Sequence, residues 1–118
     1  MKKLLIIDDE EGIIAEIKDF FVEEGYEVYA ASTGKEGIEL INKVHPDVVL
    51  IDIKLPDISG LDILKFTKQN FPATKVIVNT GYVDQQIIDE AERLGRDAFL
   101  SKPFDLTLLQ SHVQALVK

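Results

Sequence analysis

Four short apolar runs in this sequence each end in residues that can do chemistry. Lys3 to Ile7 runs into Asp8-Asp9-Glu10, and Val48 to Ile51 into Asp52. Val76 to Val78 runs into Asn79-Thr80-Gly81, and Ala98 to Leu100 into Ser101-Lys102-Pro103. Brought together, these ends supply carboxylates, a hydroxyl and an ammonium. Clustered carboxylates resist ionising together unless a cation neutralises them. Oxygen-only ligands suit a hard ion, and a site that keeps several waters suits Mg²⁺ (or Mn²⁺). Asp9 and Asp52 are the expected direct ligands, with Asp8 acting directly or through water. A second reading has Asp8, Asp9 and Glu10 capping a helix and favouring its dipole. That reading does not reach Asp52, a carboxylate that follows four consecutive apolar residues and needs partners. Lys102 supplies the opposite charge, able to hold a carboxylate in one state and a phosphoryl oxygen in another. Thr80 is either an ordinary strand-end threonine or, beside the bare N–H of Gly81, half of a donor pair for an anion. Pro103 fixes the backbone of Lys102 through a bond that is cis or trans.

The elements that must position these residues follow from the pattern around them. The four runs, with a fifth at Tyr26 to Ala30, are of strand length, mostly rich in Val and Ile and several of them continuous. Such runs mark strands buried on both faces of a parallel sheet. Helical spacing separates them: Ile13, Ile17, Phe20 and Phe21 share one face, and Gly25 ends that segment. Thr33 with Glu36 reads as a capping box, followed by Ile38, Ile41 and either Leu40 or Val44. Ser59, Asp84 and Asp105 are further N-cap candidates. They precede Ile63, Leu64 and Phe66, then Ile87, Ile88 and Ala91, then Leu108, Leu109, Val113 and Leu116. Five strands alternating with five helices require right-handed crossovers, hence an α/β doubly wound parallel sheet. In such a sheet, sites form beyond the carboxyl ends of the strands, where these polar residues stand.

With 118 residues the chain is expected to be one domain, residues 1–118, that needs no disulfide or structural metal. It has no cysteine, which suits a reducing cytoplasm, and its apolar start is too short for a signal peptide or membrane span. A net charge of −8 repels a phosphate backbone, so direct nucleic-acid binding and membrane association are not expected.

The segments LLIIDDE, VVLIDIKLPDISG, VIVNTGY and DAFLSKPF, in this order, resemble the receiver domain of bacterial two-component response regulators across essentially the whole chain. The resemblance implies a flavodoxin-like strand order 2-1-3-4-5. It makes Asp52 the phosphoacceptor, Asp8 and Asp9 the acid pocket, and the backbone carbonyl of Lys54 a further metal ligand. Thr80 becomes the switch hydroxyl, Lys102 the contact to the phosphoryl group, and Phe99 the switch aromatic, beside the plainer reading that Phe99 packs at the sheet edge. The implied partners are a sensor histidine kinase or histidine phosphotransfer protein, docking over the first helix, and a downstream protein target or an output domain absent from this chain. Ile14, off the stripe of that helix, is either an exposed contact or an extra core residue. Lys54 and Tyr82 resemble the family's tuners of dephosphorylation. Arg96 departs from the small residue usual after Gly95.

The rival readings are weaker. A haloacid-dehalogenase-type enzyme wants a second Asp two residues after the first, where this chain has Lys54. Gly34-Lys35 lacks the flanking residues of a phosphate-binding loop. A flavin-binding domain would not require Asp52 or Lys102. His45 and His112 are isolated surface candidates. The closer rival is a receiver-like interaction module that is never phosphorylated, against which the complete set of acids, Thr80 and Lys102 speaks. Stand-alone relay and piece of a longer regulator are both open.

Overall fold

The computed structural model describes residues 1–81 and 84–117; Tyr82 lies outside them. The strands are β1 (Lys3–Ile7), β2 (Glu27–Ala31), β3 (Val48–Asp52), β4 (Lys75–Thr80) and β5 (Ala98–Ser101). The helices are α1 (Glu11–Glu23), α2 (Gly34–Val44), α3 (Gly60–Asn70), α4 (Gln85–Arg93) and α5 (Leu106–Leu116). All strand pairs are parallel, in the order β2-β1-β3-β4-β5, as expected. Alternation splits the core in two. Leu5, Ile7, Val49, Ile51, Val76 and Val78 face α2, α3 and α4, whereas Leu4, Ile6, Leu50, Ile77 and Leu100 face α1 and α5. The central strands are therefore apolar on both faces, which explains their unbroken Val/Ile runs.

Three strands run further than their apolar stretches. The ladder continues through the pairs Asp52↔Asn79 and Thr80↔Ser101, because backbone pairing does not require apolar side chains. Asp52, Asn79, Thr80 and Ser101 are thus inside the sheet. Conversely β2 starts one residue late. The N–H of Tyr26 donates to the Phe21 carbonyl at 3.0 Å, Gly25 adopts φ +91°, and the Tyr26 ring packs edge-on against Phe21 to close α1.

The helix starts are as the sequence indicates. Side-chain oxygens of Thr33, Ser59, Asp84 and Asp105 accept amide hydrogens in the first turns of α2, α3, α4 and α5. The Glu36 carboxylate reaches back to the Ser32 N–H at 3.1 Å. Two expectations sharpen. Ile14 is half-buried and packs on the α1/α5 core beside Ile13, so it is a core residue. On α5, Leu108 is 47 % exposed, and Leu106 packs in its place. The Arg96 N–H donates to the Ala91 carbonyl at 3.1 Å behind Gly95 at φ +94°, so the turn closes normally despite the larger residue. No helix among the described residues is long and apolar enough to cross a membrane.

Candidate phosphoryl-transfer and metal site

The carboxyl edge of the sheet gathers the residues that the sequence singled out. Asp8, just past β1, and Asp52, the last residue of β3, stand an even number of residues from Leu4, Ile6 and Leu50, and so point toward the α1/α5 layer. Both are buried, Asp8 at 1 % and Asp52 at 5 % exposure. Lys102 follows β5 and reaches back across β4. Its ammonium donates to Asp8 Oδ2 at 2.8 Å, Asp52 Oδ2 at 3.0 Å and Glu10 Oε1 at 3.3 Å. The Lys102–Pro103 peptide bond is cis. Asp8 Oδ1 accepts the Glu10 N–H at 2.9 Å, while Glu10, the residue before α1, makes no side-chain cap of its own. Glu10 is therefore not a side-chain cap, whereas Asp8 does hold the amide just before α1.

Asp8, Asp9, Glu10 and Asp52 each bring a carboxylate oxygen into one group whose members lie within 4.8 Å of each other. Four carboxylates face one ammonium here, an excess of three negative charges when all are ionised. Burial pushes the Asp52 carboxyl above its usual range. The bonds from Lys102 pull it down and the charge of Asp8 pushes it up, and the net direction is upward. Burial alone would lower Lys102, but its bonds to Asp8 and Asp52 outweigh this and lift it above the ordinary lysine value. An all-oxygen donor set with surplus negative charge fits a hard divalent cation. Sequence reading did not assign Glu10 to Lys102; only the fold brings positions 92 residues apart into contact.

The loop after β3 is braced around this group. The Lys54 N–H donates to Asp52 Oδ1 at 3.3 Å, and Lys54 bridges Ser59 in antiparallel fashion. A Cβ on Gly60 would overlap the Asp52 carbonyl oxygen, which is why a glycine stands there. The Asp57 carboxylate accepts the N–H groups of Gly34 at 2.8 Å and Lys35 at 2.9 Å, tying the loop to the start of α2. Thr80 is buried at the end of β4, and Gly81 beside it is exposed. Phe99 is half-buried, packed against the α2/α3/α4 core, and pairs in register with Val78. A groove of about 870 Å³ opens from Asp9, Asp52 and Lys102 along Ile13, Ile17 and Phe104.

A family model, the response regulator receiver domain, matches residues 4–114. The chain belongs to that family. As a receiver domain it is a signalling switch of two-component systems, and its acidic group is suited to binding a metal. The chain is 34 % identical over 113 residues to sporulation initiation phosphotransferase F of Bacillus subtilis, covering 96 % of this chain and 91 % of that protein. It spans only 25 % to 54 % of several larger regulatory proteins that it also matches. The CheY-like receiver domain structure from Methanospirillum hungatei superposes with a TM-score of 0.97 at 32 % identity, covering 99 % of this chain and 94 % of that one. A Burkholderia pseudomallei response regulator, solved with a phosphorylated aspartic acid, a calcium ion and citrate, gives a TM-score of 0.88 at 26 % identity, covering 98 % and 72 %.

Proposed function

We propose that this receiver domain accepts a phosphoryl group on Asp52 from a phosphohistidine, with Mg²⁺ held by Asp8, Asp9, Asp52 and the carbonyl of Lys54. The observation that carries the reading is the single ammonium of Lys102 shared between Asp8 and Asp52 at the end of β3. That ammonium supports the reading because it can pass from a carboxylate to an arriving phosphoryl oxygen. The Burkholderia regulator with its phosphorylated aspartic acid supports the same chemistry here. When bound, Mg²⁺ neutralises phosphoryl oxygens and the surplus carboxylate charge. An Asp52 oxygen attacks phosphorus in line, forming an O–P bond as the P–N bond breaks. The electron pair leaves with the imidazole, which departs neutral because its other nitrogen carries a proton. Lys102 turns to a phosphoryl oxygen, and Thr80 hydrogen-bonds another. The motion of Thr80 frees space for Phe99, and the change reaches α4, β5 and α5 as a population shift.

The donor docks over α1 and the groove beside it, whose apolar floor adjoins the acids. The recipient of the signal is a downstream protein or an output domain on a longer chain, in the cytoplasm. The acyl phosphate is returned to a carboxylate when water attacks phosphorus and the O–P bond breaks. If Lys54 and Tyr82 tune this step, as the family resemblance implies, Lys54→Ala with Tyr82→Ala hydrolyses faster; an unchanged lifetime removes that role.

The direct test is mass spectrometry after incubation with acetyl phosphate, with and without Mg²⁺, on wild type and Asp52→Asn. A Mg²⁺-dependent, base-labile adduct absent from the variant establishes the phosphoacceptor. Folded wild type with no adduct under any condition supports the unphosphorylated interaction module instead.

A further inference from the structure

Among the described residues of the sheet, Asn79 is the buried polar one whose side chain has nothing to bond. It is 1 % exposed, and neither its Nδ2 nor its Oδ1 has a hydrogen-bond partner among the described residues. Buried amides are almost always paired, because leaving one unpaired opposes folding. The orphan stands at a telling place. Asn79 is the register partner of Asp52 on one side and of Leu100 on the other. It stands two residues beyond Ile77, so it faces the α1/α5 layer, as Asp52 does. The side chain of Lys102, starting beyond β5 and ending on Asp52 and Asp8, must cross β4 at this level. An ideal Cβ on Gly81, two residues along from Asn79, would lie 3.9 Å from the Lys102 Cβ. The carboxamide therefore stands level with Asp52 in the ladder, just before the point where Lys102 passes β4.

In the resting state Asp52 needs nothing from it. Its Oδ2 is taken by Lys102 at 3.0 Å, and its Oδ1 by the Lys54 N–H at 3.3 Å. Phosphorylation changes that. The ammonium of Lys102 turns outward to the phosphoryl oxygens, and the Asp52 side chain loses a donor on its buried flank. We propose that Asn79 is a positioning residue for phosphoryl transfer, its carboxamide N–H hydrogen-bonding to Asp52 during transfer, as Lys102 turns to the incoming phosphoryl group. The inference rests on Asp52 being the phosphoacceptor. A neutral donor suits this position: an acid would add repulsion to a crowded group, and an apolar residue would leave the acyl oxygen dry.

The consequence has two opposite signs. Asn79→Leu removes the unpaired amide, so the metal-free, unphosphorylated domain melts at a higher temperature than wild type. The same substitution forms the adduct from acetyl phosphate about five- to tenfold more slowly at equal Mg²⁺, the worth of one hydrogen bond. Asn79→Thr, which keeps a hydroxyl donor, recovers part of the rate. A residue with a purely packing role would lower melting temperature and rate together, and that result overturns the inference, as does a rate within twofold of wild type. Should the leucine variant not fold, the wild-type Asn79 side-chain ¹⁵N resonance decides. It shifts and its protons exchange more slowly on phosphorylation if the bond forms. An adduct with that resonance unmoved overturns the role of Asn79 alone, whereas no wild-type adduct overturns the reading of Asp52 and this one with it.

Discussion

Residue by residue, the site is a negotiation over one ammonium. Asp8 and Asp52 are buried with Lys102 between them, and removing one partner of such a pair leaves charge uncompensated. Lys102→Met is expected to destabilise the metal-free domain by about 3–5 kcal/mol, and saturating Mg²⁺ should restore a share of it. Paired denaturation curves in chelator and in Mg²⁺ check this. The raised value of Lys102 fixes a sign. Its contribution is fully present below the unfolded lysine value, roughly 10.4, and disappears as pH rises through the higher folded value. Wild type should lose stability across that alkaline range, and Lys102→Met should lose less. Asp52 runs the other way. Its folded value is raised, so its ionisation opposes folding increasingly as pH climbs from the unfolded carboxylate value through the folded one. Asp52→Asn should therefore melt higher at neutral pH without metal, by about 1 kcal/mol. In wild type, a cation titration should show weaker binding as pH falls into the Asp52 range, because proton and metal compete.

At the scale of elements, the loop from β3 to α3 decides how well the site is held. Asp57→Ala would free two amides at the start of α2, costing about 1 kcal/mol; faster hydrogen exchange at Gly34 and Lys35 would register the release. Gly60→Ala places a Cβ into the Asp52 carbonyl, so it should destabilise by several kcal/mol and weaken cation binding, whereas an ordinary thermal stability would contradict the clash. These elements also show what a sequence can disclose. The caps at Thr33, Ser59, Asp84 and Asp105 were legible because each acts on amides within its own first turn. The strands were legible from Val and Ile runs, and their order from the family resemblance. The Asp57 latch was not legible, since its amides lie 22 and 23 residues back in the chain. Leu106 was legible in place of Leu108, because with Leu109, Val113 and Leu116 it recurs at three and four residues, whereas Leu108 stands off that stripe. Asn79 was visible as a polar strand end, but its lack of partners is a property of the packed sheet.

For the molecule as a whole, parallel strands put every carboxyl end at one edge, so the site's parts come from across the chain and its strength is linked to global stability. A cation that binds only the folded form should raise stability by about 2.7 kcal/mol at a hundredfold excess over its dissociation constant. Melting temperature should rise with added Mg²⁺ and fall back with chelator; a flat response would mean that the acids hold no ion. The reach of Lys102 from beyond β5 to Asp8 beyond β1 has one more consequence, for a chain still being made. Translation adds about 5–20 residues each second. A ribosome that has delivered the first four strands has delivered Asp8, Asp9, Asp52 and Thr80, yet the negative group has no lysine to hold it. The counter-charge of the acidic group therefore arrives late, when position 102 clears the exit tunnel and β5 docks. An interrupted or clipped chain lacking that strand would carry Asp8, Asp9 and Asp52 with no ammonium between them.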